Sequence, residues 1–88
     1  MSYRVDFDGK AAREFKKLEA IIQRQILQWL KKHVEGTDNP RQFGKALQGK
    51  LKGLWRYRIG KYRVIVQIRD EALVVLVVTA GIRSEVYR

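Results

Sequence analysis

The sequence predicts an α+β fold in which an N-terminal strand and a helical hairpin pack on a small twisted antiparallel β-sheet. Three observations predict it. Residues 54–69, LWRYRIGKYRVIVQIR, alternate with period two on both sides of Gly60-Lys61. Residues 72–80, ALVVLVVTA, are an almost wholly apolar run of strand length. Residues 10–34 instead repeat their apolar positions at helical spacing.

The chain opens with a short strand over residues 3–7, where Tyr3, Val5 and Phe7 alternate with Arg4 and Asp6. It is expected at one edge of the sheet. Asp8 suits the N-cap of a helix running to Leu18, with Ala11, Phe15 and Leu18 as its apolar stripe. After a break near Glu19 and Ala20, Ile22, Ile26, Trp29, Leu30 and Val34 predict a longer helix. Gly36 is expected to end it as the C′ residue. The short join makes the two helices an antiparallel pair.

Residues 37–40, Thr-Asp-Asn-Pro, read as a loop, and Pro40 is placed to open a short helical turn through Phe43. Residues 44–53, GKALQGKLKG, read as a glycine-punctuated basic connector. Lys45, Lys50 and Lys52 stand in water there, or meet phosphates. Three spaced glycines lack the ordered spacing of a nucleotide-binding loop.

The hairpin follows. Gly60-Lys61 suits a two-residue type II′ turn. That turn sets Ile59 opposite Tyr62, Arg58 opposite Arg63, Tyr57 opposite Val64, Arg56 opposite Ile65 and Trp55 opposite Val66. Trp55, Tyr57, Ile59, Tyr62, Val64, Val66 and Ile68 then share a core face, while Leu54, Arg56, Arg58, Arg63, Ile65, Gln67 and Arg69 share the other. The Arg58/Arg63 pair is odd as structure alone, because like charges directly opposite cost roughly 0.2–1 kcal/mol. It is either a solvated charged face or a polyanion site, since guanidinium groups grip phosphates bidentately. Arg56 and Arg58 emerge about 6.6–6.8 Å apart, comparable to the repeat of a nucleic-acid strand.

Asp70-Glu71 reads as a second tight turn, leading into a central strand over residues 72–80. Leu73, Val75 and Val77 join the core face. Val74, Leu76 and Val78 lie beside Ile65, as an apolar floor next to the arginines.

The 88 residues predict a single domain, 1–88, with a modest core. The chain has no cysteine, so disulfides and thiolate metal sites are excluded, which suits a reducing compartment. The first residues have no apolar h-region and no run approaches a membrane span, so neither signal peptide nor membrane anchor is expected and the cytoplasm is. The net charge is +10, and its placement matters more than its size. Residues 41–69 hold nine of the 19 Lys and Arg and none of the nine Asp and Glu. A basic block interleaved with Trp and Tyr points to nucleic acid. His33, the one histidine, sits on the second helix far from the arginine face, so a histidine-pair ribonuclease and a zinc site are not expected. Asp6 and Asp8 read as a solvent residue and an N-cap rather than a metal-binding pair.

These residues carry a resemblance. The run FGKALQGKLKGLWRYRIGKYRVIVQI, the buried valine strand and then Gly81-x-Arg83-x-x-Val86-Tyr87 resemble the RelE/ParE superfamily of bacterial toxins over essentially the whole chain. The terminal SEVYR favours the RelE branch. The resemblance implies the toxin of a type II toxin–antitoxin pair, with a cognate antitoxin as partner. It also implies a metal-independent, cofactor-free endoribonuclease that enters the 70S ribosome and cuts mRNA in the A site by 2′-hydroxyl attack. By position, Arg56 and Arg58 match the two basic residues of the family's first hairpin strand, and Arg63 the arginine after the hairpin tyrosine. Arg83 resembles the proposed general acid, and Tyr87 the C-terminal tyrosine that stacks on or orients the substrate.

The sequence also departs from the family. The best-known members carry lysines where Arg56 and Arg58 stand, and arginine does not give up its proton. Arg56 and Arg58 are therefore expected to stabilise charge, with Glu85 or Tyr87, or groups of the substrate or ribosome, left as base. The sequence runs one residue past Tyr87, without the further helix of some relatives, so Tyr87 is expected to be loosely held. Lys45, Lys50, Lys52, Lys61 and Arg69 are the remaining RNA-binding candidates. Two other functions fit the same fold and charge: inhibition of DNA gyrase in the manner of ParE, and RNA binding without catalysis.

Overall fold

The structure is a computed structural model that describes residues 2–82. Strand β1 (Arg4–Phe7), helices α1 (Gly9–Lys16) and α2 (Ala20–His33), and strands β2 (Gly44–Ala46), β3 (Trp55–Ile59), β4 (Tyr62–Arg69) and β5 (Val74–Ile82) follow in order. The five strands form one sheet in the order β1-β5-β4-β3-β2, and the helices cover one face of it.

The central hairpin forms as its alternation predicts. All five predicted pairs across β3 and β4 are present, from Trp55 with Val66 to Ile59 with Tyr62. Gly60 has φ 61°, while among the described non-glycine residues only Leu73 has a positive φ. A positive φ at the first turn residue and not the second is the type II′ pattern. Tyr57, Ile59, Val64 and Val66 are buried in the core, and Trp55, Tyr62 and Ile68 pack against it. Each fully buried side chain of this size contributes roughly 1.5–3 kcal/mol, so the face assignment is strongly enforced.

Helix α1 begins at Asp8, whose Oδ1 accepts the Ala11 N–H at 2.8 Å. Gln23 of α2 closes the helix pair by donating from Nε2 to the carbonyls of Leu18 (2.8 Å) and Lys16 (3.3 Å). Helix α2 ends one residue earlier than expected, with Val34 as its C-cap. Gly36 keeps the positive φ of 82° but lies at C″, and its N–H donates to the Tyr3 carbonyl at 2.8 Å.

The sheet departs from expectation at both edges. Strand β1 joins β5 in parallel, Arg4 opposite Val74 through Phe7 opposite Val77, so the sheet is mixed rather than wholly antiparallel. No tight turn links these strands, since both helices and the other three strands lie between them in the chain, so nothing local imposes an antiparallel direction. At the other edge, residues 44–46 of the expected connector form β2, antiparallel to β3. Pro40 opens turns rather than a helical turn, and the Tyr57 hydroxyl fixes them by donating to the Pro40 carbonyl at 2.6 Å. Gly44 makes this possible, because a Cβ there would lie 3.0 Å from Tyr57 Cε1.

Strand β5 differs in two ways. The turn before it has four residues, 70–73, since Arg69 pairs with Val74. That moves the register by an even number, so Val75 and Val77 keep the core face. A bulge follows: Ile65 pairs with Thr79 but Val66 pairs with Val77, leaving Val78 as the extra residue. Beyond it the faces exchange. Ala80 enters the core, and Gly81 pairs with Arg63.

Candidate functional site

Strand pairing assembles a compact basic group on the face away from the helices. Arg58, Arg63 and Gly81 form one row across β3, β4 and β5. The next row on that face is Lys45, Arg56, Ile65 and Thr79. Lys45 was expected in a connector; β2 sets it directly beside Arg56. Lys61, in the hairpin turn, lies at the Arg58 and Arg63 end.

These cations differ in freedom. Arg63 is only 4% exposed, Arg56 is half-buried with its Nε buried, and Arg58, Lys45 and Lys61 are exposed. Burial makes Arg63 the most restricted of these side chains. One row from Arg63, Ile65 is 1% exposed, and Val78 and Leu76 (half-buried) and Val74 (6%) run back from there along β5 toward Arg69. The predicted apolar floor is therefore present, with its last residue now in the bulge.

The structure does not bring every candidate into this group. Arg69 is six residues along β4 from Arg63, roughly 20 Å away, and its Nε lies 3.9 Å from Glu71 Oε1. Lys50 and Lys52 are exposed in the 3-10 turn Gly49–Leu51 and just after it, at the opposite end of β3 from Lys61. Arg83, Glu85 and Tyr87 lie outside the described residues.

Arg41, counted in the basic window, has a structural task. Its Nη1 and Nη2 donate to the two carboxylate oxygens of Asp70 at 3.0 and 2.8 Å, and its guanidinium lies 5.7 Å from the Trp55 ring centre. Tyr3 donates its hydroxyl to the same carboxylate at 2.5 Å. These hydrogen bonds from Arg41 and Tyr3 hold the Asp70 carboxyl at about 2. Asp8 and Asp6 serve as the expected cap and surface residue, Asp6 with Arg4 at 3.6 Å. His33 packs between Trp29 and Phe43, with both ring centres 4.8 Å away and the rings tilted by 50° and 55°. Among the described residues no group of three or more His, Cys, Asp or Glu is placed to hold a metal, and no helix is long and apolar enough to cross a membrane.

Another contact without a signal in the sequence joins α1 to β5. Glu14 of α1 accepts the Thr79 hydroxyl at 2.7 Å and the Ala80 N–H at 3.2 Å through Oε1. On the helical side, a cavity of about 350 Å³ opens between α2 and β1, lined by Val5, Phe7, Leu27, Leu30, Lys31 and Glu35.

A family model for the ParE toxin of type II toxin–antitoxin systems matches residues 5–87. The mRNA interferase toxin RelE of Escherichia coli K12 is 37% identical over 94 residues, covering 99% of this chain and 92% of the relative. Toxin RelG of Mycobacterium tuberculosis is 30% identical over 88 residues, covering 100% and 99%. Among solved structures, the RelBE2 toxin–antitoxin complex of Mycobacterium tuberculosis is similar with a TM-score of 0.79, 28% identity and coverage of 94% and 100%. The isolated RelE toxin of Escherichia coli gives 0.73, 31% identity and coverage of 98% and 92%.

Proposed function

The chain belongs to the RelE/ParE superfamily of type II toxin–antitoxin toxins, and from that premise we propose that it is a ribosome-dependent mRNA endoribonuclease. The observation that carries this reading is the compact cationic group: buried Arg63 beside Arg58, with Arg56 and Lys45 one row away.

The reaction joins the RNA 2′-oxygen to the neighbouring phosphorus and breaks the bond to the leaving 5′-oxygen. A cyclic 2′,3′-phosphate and a 5′-hydroxyl result. The 2′ proton goes to a base, and the leaving oxygen gains one from an acid. Between these steps the phosphorane carries extra negative charge, and fixed cations that face it lower the barrier. Arg56, Arg58 and Arg63 fit that task, because guanidinium groups donate in a planar fork and stay charged. Removing one such donor in a preorganised site costs about 10²–10³ in rate.

Arg83 fits the leaving-group side. It follows Gly81 by two residues in the sequence, and Gly81 is paired with Arg63. Tyr87 fits stacking on a base, and Glu85 or Tyr87 is the candidate base within the chain. No metal or cofactor is needed for these steps. Lys45 and Lys61 fit contacts to the flanking phosphates, and Lys50, Lys52 and Arg69 fit longer-range attraction to RNA in the ribosome.

The partners that follow are mRNA, the 70S ribosome and a cognate antitoxin, in the cytoplasm. Similar solved toxins are held with their antitoxins. The basic group with its apolar floor, and the groove between α2 and β1, are two surfaces suited to such a segment.

The test is primer extension on a defined mRNA with stalled ribosomes present or absent. New 3′ ends at the A-site codon, formed only with ribosomes, are the expected result. The ParE name of the family model favours one alternative, DNA gyrase inhibition. Loss of supercoiling activity with intact mRNA would establish it in place of cleavage. Salt-sensitive RNA binding, with a log–log slope of about −0.7 per phosphate contact and no cleavage, would leave an RNA-binding module.

A further inference from the structure

We propose that Glu14 is a positioning residue, which fixes the register of the last part of β5 and so sets Gly81 opposite Arg63. The proposal rests on the endoribonuclease reading above.

Strand β1 pairs with β5 only as far as Phe7 opposite Val77, and the Asp8 N–H makes the last contact, to the Val77 carbonyl at 3.0 Å. Strand β5 continues to Ile82 with β4 on one side and, among the described residues, no strand on the other. An open edge leaves backbone N–H groups to be satisfied elsewhere. Glu14 fills that place. Its Oε1 takes the Ala80 N–H at 3.2 Å and the Thr79 hydroxyl at 2.7 Å, and its Oε2 is paired with Lys10 Nζ at 3.0 Å. Lys10 Nζ also approaches Thr79 Oγ1 at 3.5 Å. Burial pushes the Glu14 carboxyl up, but the hydrogen bonds from Thr79, Lys10 and Ala80 outweigh this and hold it below its ordinary value. The group is thus an anion clamped to one short piece of backbone.

That piece matters because it directly follows the bulge. The extra residue, Val78, exchanges the faces of everything after it, which is why Ala80 enters the core and Gly81 comes opposite Arg63. A one-residue slip would reverse both. Local pairing with β4 alone does not choose between bulge positions in an apolar run such as Val74-Val75-Leu76-Val77-Val78, since neighbouring residues are alike. Glu14 distinguishes Thr79 and Ala80 from them, because Thr79 alone among residues 74–80 offers a hydroxyl.

The experiment compares Glu14→Ala, Glu14→Gln and Thr79→Val with wild type and with Arg83→Ala. Single-turnover cleavage is measured on stalled ribosomes across toxin concentrations, together with amide hydrogen exchange of the free toxin. Glu14→Ala is expected to lower the maximal rate about tenfold, as fits one lost charge-assisted hydrogen-bond site. The half-saturating concentration stays within about twofold. Exchange at Thr79, Ala80 and Gly81 rises about tenfold, while β3 amides do not change. Glu14→Gln keeps an acceptor oxygen and restores most of both, and Thr79→Val falls between. If Glu14→Ala cleaves at the wild-type rate while Arg83→Ala does not cleave, Glu14 is an edge cap only and the proposal is wrong. If exchange at Thr79, Ala80 and Gly81 is unchanged in Glu14→Ala, the register is held without Glu14 and the proposal is wrong; if Arg83→Ala cleaves like wild type, only the assignment of Arg83 falls.

Discussion

Arg63 on β4 lies directly opposite Gly81 on β5, and it is 4% exposed. A residue without a side chain thus faces a buried guanidinium, whose other neighbour across the sheet is the exposed Arg58. A buried cation beside an exposed one is suited to a phosphate whose charge grows during reaction.

Arg63→Lys keeps the charge but loses the planar fork. Its cleavage rate on stalled ribosomes is expected to fall about 10–100-fold, and that of Arg58→Lys less, because an exposed side chain can readjust. Single-turnover rates check the order.

Gly44→Ala tests the β2 edge. Its Cβ would stand 3.0 Å from the Tyr57 ring, and the ring is buried and hydrogen-bonded to Pro40, so β2 must move. A loss of about 1–3 kcal/mol in denaturant unfolding is expected. Lys45 shifts with the strand, so cleavage falls as well.

Tyr57 gives an alkaline signature. Burial pushes its hydroxyl up to about 12 from the ordinary value of 10.0. A tyrosine that ionises less readily when folded contributes stability fully present below 10, which is lost as pH rises through about 12. Near-ultraviolet titration is expected to show a late-ionising tyrosine coincident with unfolding. Tyr57→Phe removes that step, at a cost of about 1–2 kcal/mol for the unpaired Pro40 carbonyl at neutral pH.

Asp70 gives an acid signature. Its carboxyl is more acidic folded than unfolded, about 2 against 3.8. The contribution of its bonds with Arg41 and Tyr3 is therefore complete above the ordinary value and disappears as pH falls through about 2. Asp70→Asn is expected to be less stable near neutrality and to lose less stability over that acid range. Denaturant midpoints as a function of pH measure this.

What the sequence made legible was local. The hairpin, its turn at Gly60, the Asp8 cap and the grouping of Arg56, Arg58 and Arg63 on one face all follow from turn chemistry and period-two alternation. What it hid depends on partners far along the chain. Arg41 finds Asp70 and Glu14 finds Ala80, 29 and 66 residues apart, and neither leaves a periodic trace. The parallel β1 edge is hidden for the same reason. The four-residue turn and the bulge at Val78 are hidden because a run of valines pairs equally well in several registers. Lys45 joined the basic group only because Gly44 lets β2 approach Tyr57; Lys50, Lys52 and Arg69 resembled it in charge but not in place.

The most direct measurement is the maximal rate of A-site cleavage on one stalled ribosome for Arg56→Ala and Arg63→Ala against Lys50→Ala and Arg69→Ala. If the compact group is the active centre, the first pair falls about 100-fold or more. The second pair keeps the wild-type rate within about threefold and changes mainly the half-saturating concentration, as screened surface charges do. Equal losses in all four would contradict it, and would mean that charge on this face attracts RNA without acting on the phosphate.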